Sequence, residues 1–239
     1  MILYLIRHGD PIYDPDSLTP LGHEQAKALA KRFTLYGLDE IYCSTSNRAK
    51  LTAQPTCELL GKEMTLVDWA NEGHAWNDFA VPYDDGSRRW AFHNQKYIEL
   101  FNSDEIRSLG KEWYTYPDFK EFNFEAGVKR INKEVDAWFE ELGYQHDRKR
   151  NGYIANGANE KRVALFAHQG FGLAFLSSVL DIPYPMFSTR FDITTTGVSV
   201  LHFSEEKGSF IIPKLLQLSN DSHLYREGLM NGYHNSIKL

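Results

Sequence analysis

The sequence predicts an α/β fold, three layers (α/β/α) around a mostly parallel central sheet. Short apolar runs of strand length alternate with longer stretches of helical period, which is how a parallel sheet covered on both faces reads. The first run, Ile2-Leu3-Tyr4-Leu5-Ile6, is β-rich and apolar throughout, as a buried central strand requires. The chain has 239 residues, 42% of them hydrophobic, enough to cover such a sheet as one large α/β domain.

The first strand spans residues 2–6. Thr19-Pro20 then opens a helix, with threonine as the cap and proline in the first turn. Leu21, Ala28, Leu29 and Phe33 are its core-facing positions, and Gly37 ends it. Glu40 to Cys43 reads as a second strand, Ser44 to Asn47 as the turn after it, and a helix runs on to Leu60. Met64 to Val67 reads as a third strand. From Trp69 to Phe124 no period holds for long, and four of the five tryptophans lie there. This stretch reads as an aromatic-rich insertion, either a secondary core or a lid, within a single domain spanning 1–239. Val128, Ile131, Val135, Trp138, Phe139 and Leu142 mark an amphipathic helix over 125–142. Residues 145–161 are polar and read as a loop. Arg162 to Ala167 reads as a buried strand, 170–180 as the helix after it, and 197–203 with 210–218 as a late β-hairpin.

Composition removes several classes of function. A net charge of −6 argues against a nucleic-acid partner. No segment approaches the ~20 apolar residues of a membrane span, and Arg7 interrupts the first apolar run before it could serve as a signal peptide. The chain therefore reads as cytoplasmic. Cys43 and Cys57 are too few for a disulfide framework and read as buried free thiols. Asn220-Asp221-Ser222 fits a glycosylation sequon but reads as a turn. No Cys/His spacing suggests a metal: four residues after His23-Glu24 begins, the zinc-protease pattern meets Lys27. No cofactor is expected.

Three strand ends carry the chemistry. The first ends at Arg7-His8, the second at Ser44 with Arg48 just inside the following helix, and a later one at His168-Gln169-Gly170. Parallel strands end on one edge, where ligands of open α/β sheets bind. Two arginines and two histidines converging there form a pocket for a tetrahedral dianion. Backbone N–H groups of Gln169 and Gly170 at a helix start are expected to add donors. A neutral His8 can attack phosphorus, and Arg7 and Arg48 disfavour its cationic form. The arginines and His168 would bind the equatorial oxygens. Glu72 is the candidate general acid, with Glu63 and Glu99 as weaker ones. His74 and His223 read as structural, and Arg88, Arg89 and Lys96 as a solvated cationic face. An aromatic lid would suit a substrate with an apolar or planar part.

These segments resemble the histidine phosphatase superfamily, also called the phosphoglycerate-mutase-like fold. Leu5-Ile6-Arg7-His8-Gly9 is similar to its signature, and Leu18 to Ala26 to its first-helix motif. Ser44 to Ala53 resembles the segment bearing its second arginine, Ala167-His168-Gln169-Gly170 the site of its second histidine, and Leu218 to Leu224 a tail of many bacterial members. The resemblance implies this fold and a phosphohistidine route. The expected function is a metal-independent phosphomonoesterase of the histidine acid phosphatase type. It would use His8, Glu72 and His168 in catalysis, with Arg7, Arg48, His168 and Gln169 binding the phosphate of a small-molecule phosphomonoester. Two departures bear on this. Asp10-Pro11 follows Gly9 where the family often has Glu or Gln, and no basic stretch for phosphoglycerate is recognisable between Trp69 and Phe124. The alternatives are a phosphoglycerate-type phosphomutase and a catalytically silent phospho-ligand-binding member.

Overall fold

The computed structural model describes residues 1–157 and 159–233. Its centre is a six-stranded sheet of β1 (Ile2–Arg7), β2 (Glu40–Ser44), β3 (Met64–Val67), β4 (Arg162–Ala167), β5 (Val198–His202) and β6 (Lys214–Asn220). The spatial order is β6-β5-β1-β4-β2-β3. The pairs β1/β4, β4/β2 and β2/β3 are parallel, and β5 pairs antiparallel with both β1 and β6. The parallel part matches the expectation from sequence, and so does the late antiparallel pair.

Register places the site. Arg7 lies opposite Ala167, and Phe166 opposite Cys43, so His8, His168 and Ser44 emerge along one edge. The His8 N–H extends the ladder by one bond, donating to the Ala167 carbonyl at 3.0 Å. Leu3, Leu5, Ile6, Leu165 and Phe166 are buried, as residues between two covering layers must be. Each such side chain is worth roughly 1.5–3 kcal/mol relative to exposure.

Helix α1 (Pro20–Thr34) starts where Thr19 Oγ1 accepts from the Gly22 N–H at 3.0 Å and Pro20 supplies the fixed φ of the first turn. Helix α2 (Asn47–Leu60) ends on Gly61 at φ +62°, a left-handed cap that glycine adopts without a Cβ penalty. Helix α3 (Glu72–Phe79) begins the insertion, and helix α4 (Phe124–Glu141) closes it with its apolar stripe inward. All eleven residues of helix α5 (Gln169–Val179) are buried, so this helix is covered on every side and its N-terminus is fixed. Aromatic residues of the insertion, Phe79, Phe101, Trp113, Phe119 and Phe124, pack in one apolar cluster with Leu3, Leu5 and Leu165 of the sheet. These rings join the sheet's own core rather than forming a separate secondary core, one of the two readings of the insertion.

Two expectations need correction. Residues 145–161 are not all loop: Gln145–Asp147 and Gly152–Ile154 pair as strands, and Phe210–Ile211 joins them. Phe210 therefore belongs to this small sheet, and the long hairpin strand begins only at Lys214. Such three-residue strands are held by backbone bonds rather than an apolar period, which hid them from a pattern reading. Cys43 and Cys57 are buried free thiols, as expected. Asn220 Oδ1 accepts from the Ser222 N–H and hydroxyl, the local bonding of a turn. Among the described residues no helix is long and apolar enough to cross a membrane.

Candidate active site

Arg7 and His8 leave β1 into a cage of backbone. Arg7 Nη1 donates to the carbonyls of Ile193 at 2.5 Å and Tyr233 at 3.0 Å. The His8 carbonyl accepts from the Thr196 N–H at 3.2 Å, and Thr196 Oγ1 is bonded to His223 Nε2 at 3.0 Å. His223 is thus a buried strut under the segment that holds His8, the structural role expected for it. Beneath His8, Gly9 and Gly22 meet backbone to backbone. A Cβ at Gly9 would lie 2.7 Å from the Gly22 carbonyl oxygen, and one on Gly22 would fall on the Asp10 carbonyl. Asp10, the departure after Gly9, accepts from the Thr19 hydroxyl at 2.5 Å and so ties this loop to the start of α1.

The His8 ring is 2% exposed at residue level, and its Nδ1 lies 2.7 Å from the Gly9 carbonyl. A carbonyl only accepts, so Nδ1 carries the proton and Nε2 keeps its lone pair. Burial, then His168, Arg7 and Arg48 in turn, hold the His8 pKa well below its ordinary value. The two imidazoles are 5.2 Å apart, edge to face. His168 Nε2 lies 2.8 Å from Ser44 Oγ, which itself accepts from the Ser46 N–H at 3.4 Å. Ser46 Oγ lies 3.3 Å from the same Nε2, so two hydroxyls hold this nitrogen, while His168 Nδ1 is buried with no protein partner. Burial, then Arg48 and Arg7, also keep His168 neutral far below its ordinary pKa.

Arg48 enters from the first turn of α2, with Nη1 2.8 Å from Asp16 Oδ1 and its guanidinium 5.4 Å from the centre of the Tyr13 ring. Glu72, at the start of α3, accepts from the N–H groups of Gly170 at 2.9 Å and Phe171 at 2.8 Å. Burial raises its pKa; those two N–H groups, Arg48 and Arg7 act in the opposite sense, and burial prevails. The Gly170 N–H is therefore spent on Glu72, a correction to its expected role as a phosphate donor. Gln169 Nε2 donates to Asp192, and Gln169 still lines the cavity.

Arg7, His8, Arg48, Glu72 and Gln169 share one cavity of about 540 Å³. His168 stands behind it, against the His8 ring. Glu63 and Glu99 are exposed and do not line it, and His74 pairs with Asp68 at 2.9 Å on the surface. Arg89 pairs with Asp85, and Arg88 donates to the Ala80 carbonyl, as a solvated face does. Sequence reasoning missed Tyr13, Asp16, Asn71, Trp76 and Trp90, which also line the cavity. Tyr13 and Asp16 sit in a small hairpin, Pro11–Tyr13 with Asp16–Leu18, too short for a periodic signal, though its place right after His8 was a clue.

The family model of the histidine phosphatase superfamily (branch 1) matches residues 3–79. A Hydrogenobacter thermophilus protein named "putative phosphoserine phosphatase 2" is 36% identical over 218 residues, covering 87% of this chain and 93% of that protein. The chain belongs to the histidine phosphatase superfamily. Solved phosphatases share its fold. A variant of Entamoeba histolytica phosphoserine phosphatase in complex with phosphoserine gives a TM-score of 0.58 at 20% identity, over 93% of this chain and 98% of that one. Shigella flexneri α-ribazole phosphatase gives 0.58 at 18%, over 92% and 97%. These relatives are named as phosphatases, and the mutase alternative finds no counterpart among them.

Proposed function

We propose that the whole chain acts as one histidine phosphatase domain that hydrolyses small-molecule phosphomonoesters through phosphorylated His8. The observation that carries this is the Nδ1–H bond from His8 to the Gly9 carbonyl at 2.7 Å, which leaves Nε2 unprotonated in a cavity it shares with Arg7 and Arg48. In the first step the Nε2 lone pair attacks phosphorus and the P–O ester bond breaks. Glu72 gives its proton to the departing alkoxide. In the second, water attacks the phosphohistidine, Glu72 takes the water's proton, the P–N bond breaks, and inorganic phosphate leaves. Arg7, Arg48, Gln169 and His168 are assigned to the charge that gathers on the equatorial oxygens. The guanidinium groups supply the positive charge that a metal provides in other phosphoryl-transfer sites, so turnover is expected to resist chelators.

Rapid acid-free quenching during turnover of p-nitrophenyl phosphate tests this reading. One acid-labile, alkali-stable phosphoryl group per chain is expected, with turnover unaffected by EDTA. Phosphate release with no such adduct sinks the covalent route.

Glu72→Gln tests the proton donor. Alkyl phosphates need a protonated leaving group and are expected to slow by about 10²–10⁴-fold; aryl phosphates with a good leaving group should slow far less. In the unaltered protein, alkyl turnover should decline as pH rises through the raised pKa of Glu72, because the proton to be donated is lost. Equal losses on both substrates remove Glu72 from the role. The amide also sets an N–H₂ against the Gly170 or Phe171 N–H, so a stability loss of about 1–3 kcal/mol should accompany the variant.

A further inference from the structure

Beyond its cationic end, the cavity is walled by aromatic rings. Trp76 and Trp90 both line it, packed edge to face with centroids 5.0 Å apart, and Tyr13 lines it as well. Trp76 stands one turn beyond Glu72 on α3. Trp90 lies directly over the backbone at Gly170, where a Cβ would strike its ring. Both tryptophans are only partly buried, unlike Phe101, Phe119 and Phe124, which are buried in the apolar cluster shared with the sheet. The insertion is packed without their remaining surface, and that surface borders the place where the esterified alcohol must sit. Among the described residues lining the cavity, the cations are Arg7 and Arg48, both assigned to the phosphoryl group. Asp16, on Arg48, adds negative charge beside them, while Glu72 holds the proton it donates. A second anionic group on a substrate thus meets the Asp16 carboxylate and indoles, with no further cation among the described lining residues.

We propose that this cavity selects phosphate esters whose alcohol carries a planar, uncharged ring, seated against Trp76 and Trp90, over esters with a second anionic group. The selection rests on the reading of Arg7, His8 and Arg48 as the phosphoryl site. A ring stacked on an indole gains contact area and quadrupole complementarity, which together correspond to about tenfold in affinity. Like charge at Asp16, and the absence of a cation beyond Arg7 and Arg48 among the described lining residues, act against a carboxylate in the same place.

Calorimetric titration with two non-hydrolysable probes decides this: benzylphosphonate and the methylene phosphonate analogue of phosphoserine. Benzylphosphonate is expected to bind at least tenfold more tightly. Trp76→Ala should reduce that ratio to threefold or less, and Trp90→Phe, which keeps a ring, should retain most of it. Equal or reversed affinities in the unaltered protein, binding of neither probe, or an undiminished ratio in Trp76→Ala each overturn the proposal. Binding is read without turnover. A protein that ranks the probes as expected yet releases no phosphate from p-nitrophenyl phosphate or benzyl phosphate sinks the hydrolase reading and leaves the selectivity standing.

Discussion

His8→Ala is expected to lower phosphate release by on the order of 10⁴-fold or more, because it removes the imidazole proposed to form the covalent intermediate. The fold should survive. The His8 side chain makes one hydrogen bond, to its neighbour Gly9, while the backbone bonds that fix its position, to Ala167 and from Thr196, are independent of the ring. The variant should give the same far-UV circular dichroism and trap no acid-labile phosphoryl group. Substantial remaining turnover would remove the nucleophile's role from His8, whatever the rest of the site does.

Stability is expected to fall steeply on mild acidification. His8, His168 and His223 are all buried, and burial is the largest cause holding each below its ordinary pKa, His223 at about 3. The unfolded chain takes up these protons below pH 6.5; the folded chain does not. Each histidine then costs about 1.4 kcal/mol of stability per pH unit between its unfolded and folded values, or roughly 4 kcal/mol per unit for the three together. Glu72 works in the other direction. Its raised pKa contributes stability at low pH that is lost as pH rises through the folded value, but one carboxyl does not offset three imidazoles. Urea midpoints at pH 7 and pH 5.5 read the effect directly. A midpoint that does not move would mean the imidazoles protonate in place, and His8→Ala should show a shallower decline than the unaltered protein.

The edge that carries the candidate site was legible because it is built from strand ends. Ile2 to Ile6 and Arg162 to Ala167 are apolar runs with sharp stops, so the sequence alone aligns Arg7, His8 and His168, and Arg48 follows from the helix after Ser44. Glu72 was found from its place in the chain, but its binding to the start of α5 was not, because that contact joins residues about a hundred positions apart through backbone N–H groups that carry no side-chain signature. The same holds for Asp192, which meets Gln169 from a segment with no local period. Trp76 and Trp90 were visible as part of an aromatic-rich stretch; which of its rings would form a core and which would wall a cavity depends on packing that composition does not encode. Residues 145–161 were misread for a related reason, since their pairing is a matter of backbone bonds among polar residues.

Arg7 is steadied by two carbonyl oxygens, from Ile193 and Tyr233. Every amino acid brings the same oxygen, so evolution can rewrite the letters at 193 and 233 while the guanidinium stays aimed. What such a design cannot tolerate is a change in the count of residues reaching those places, because an insertion or deletion slides the oxygens out of reach. The vulnerability of this anchor is one of length, not of spelling.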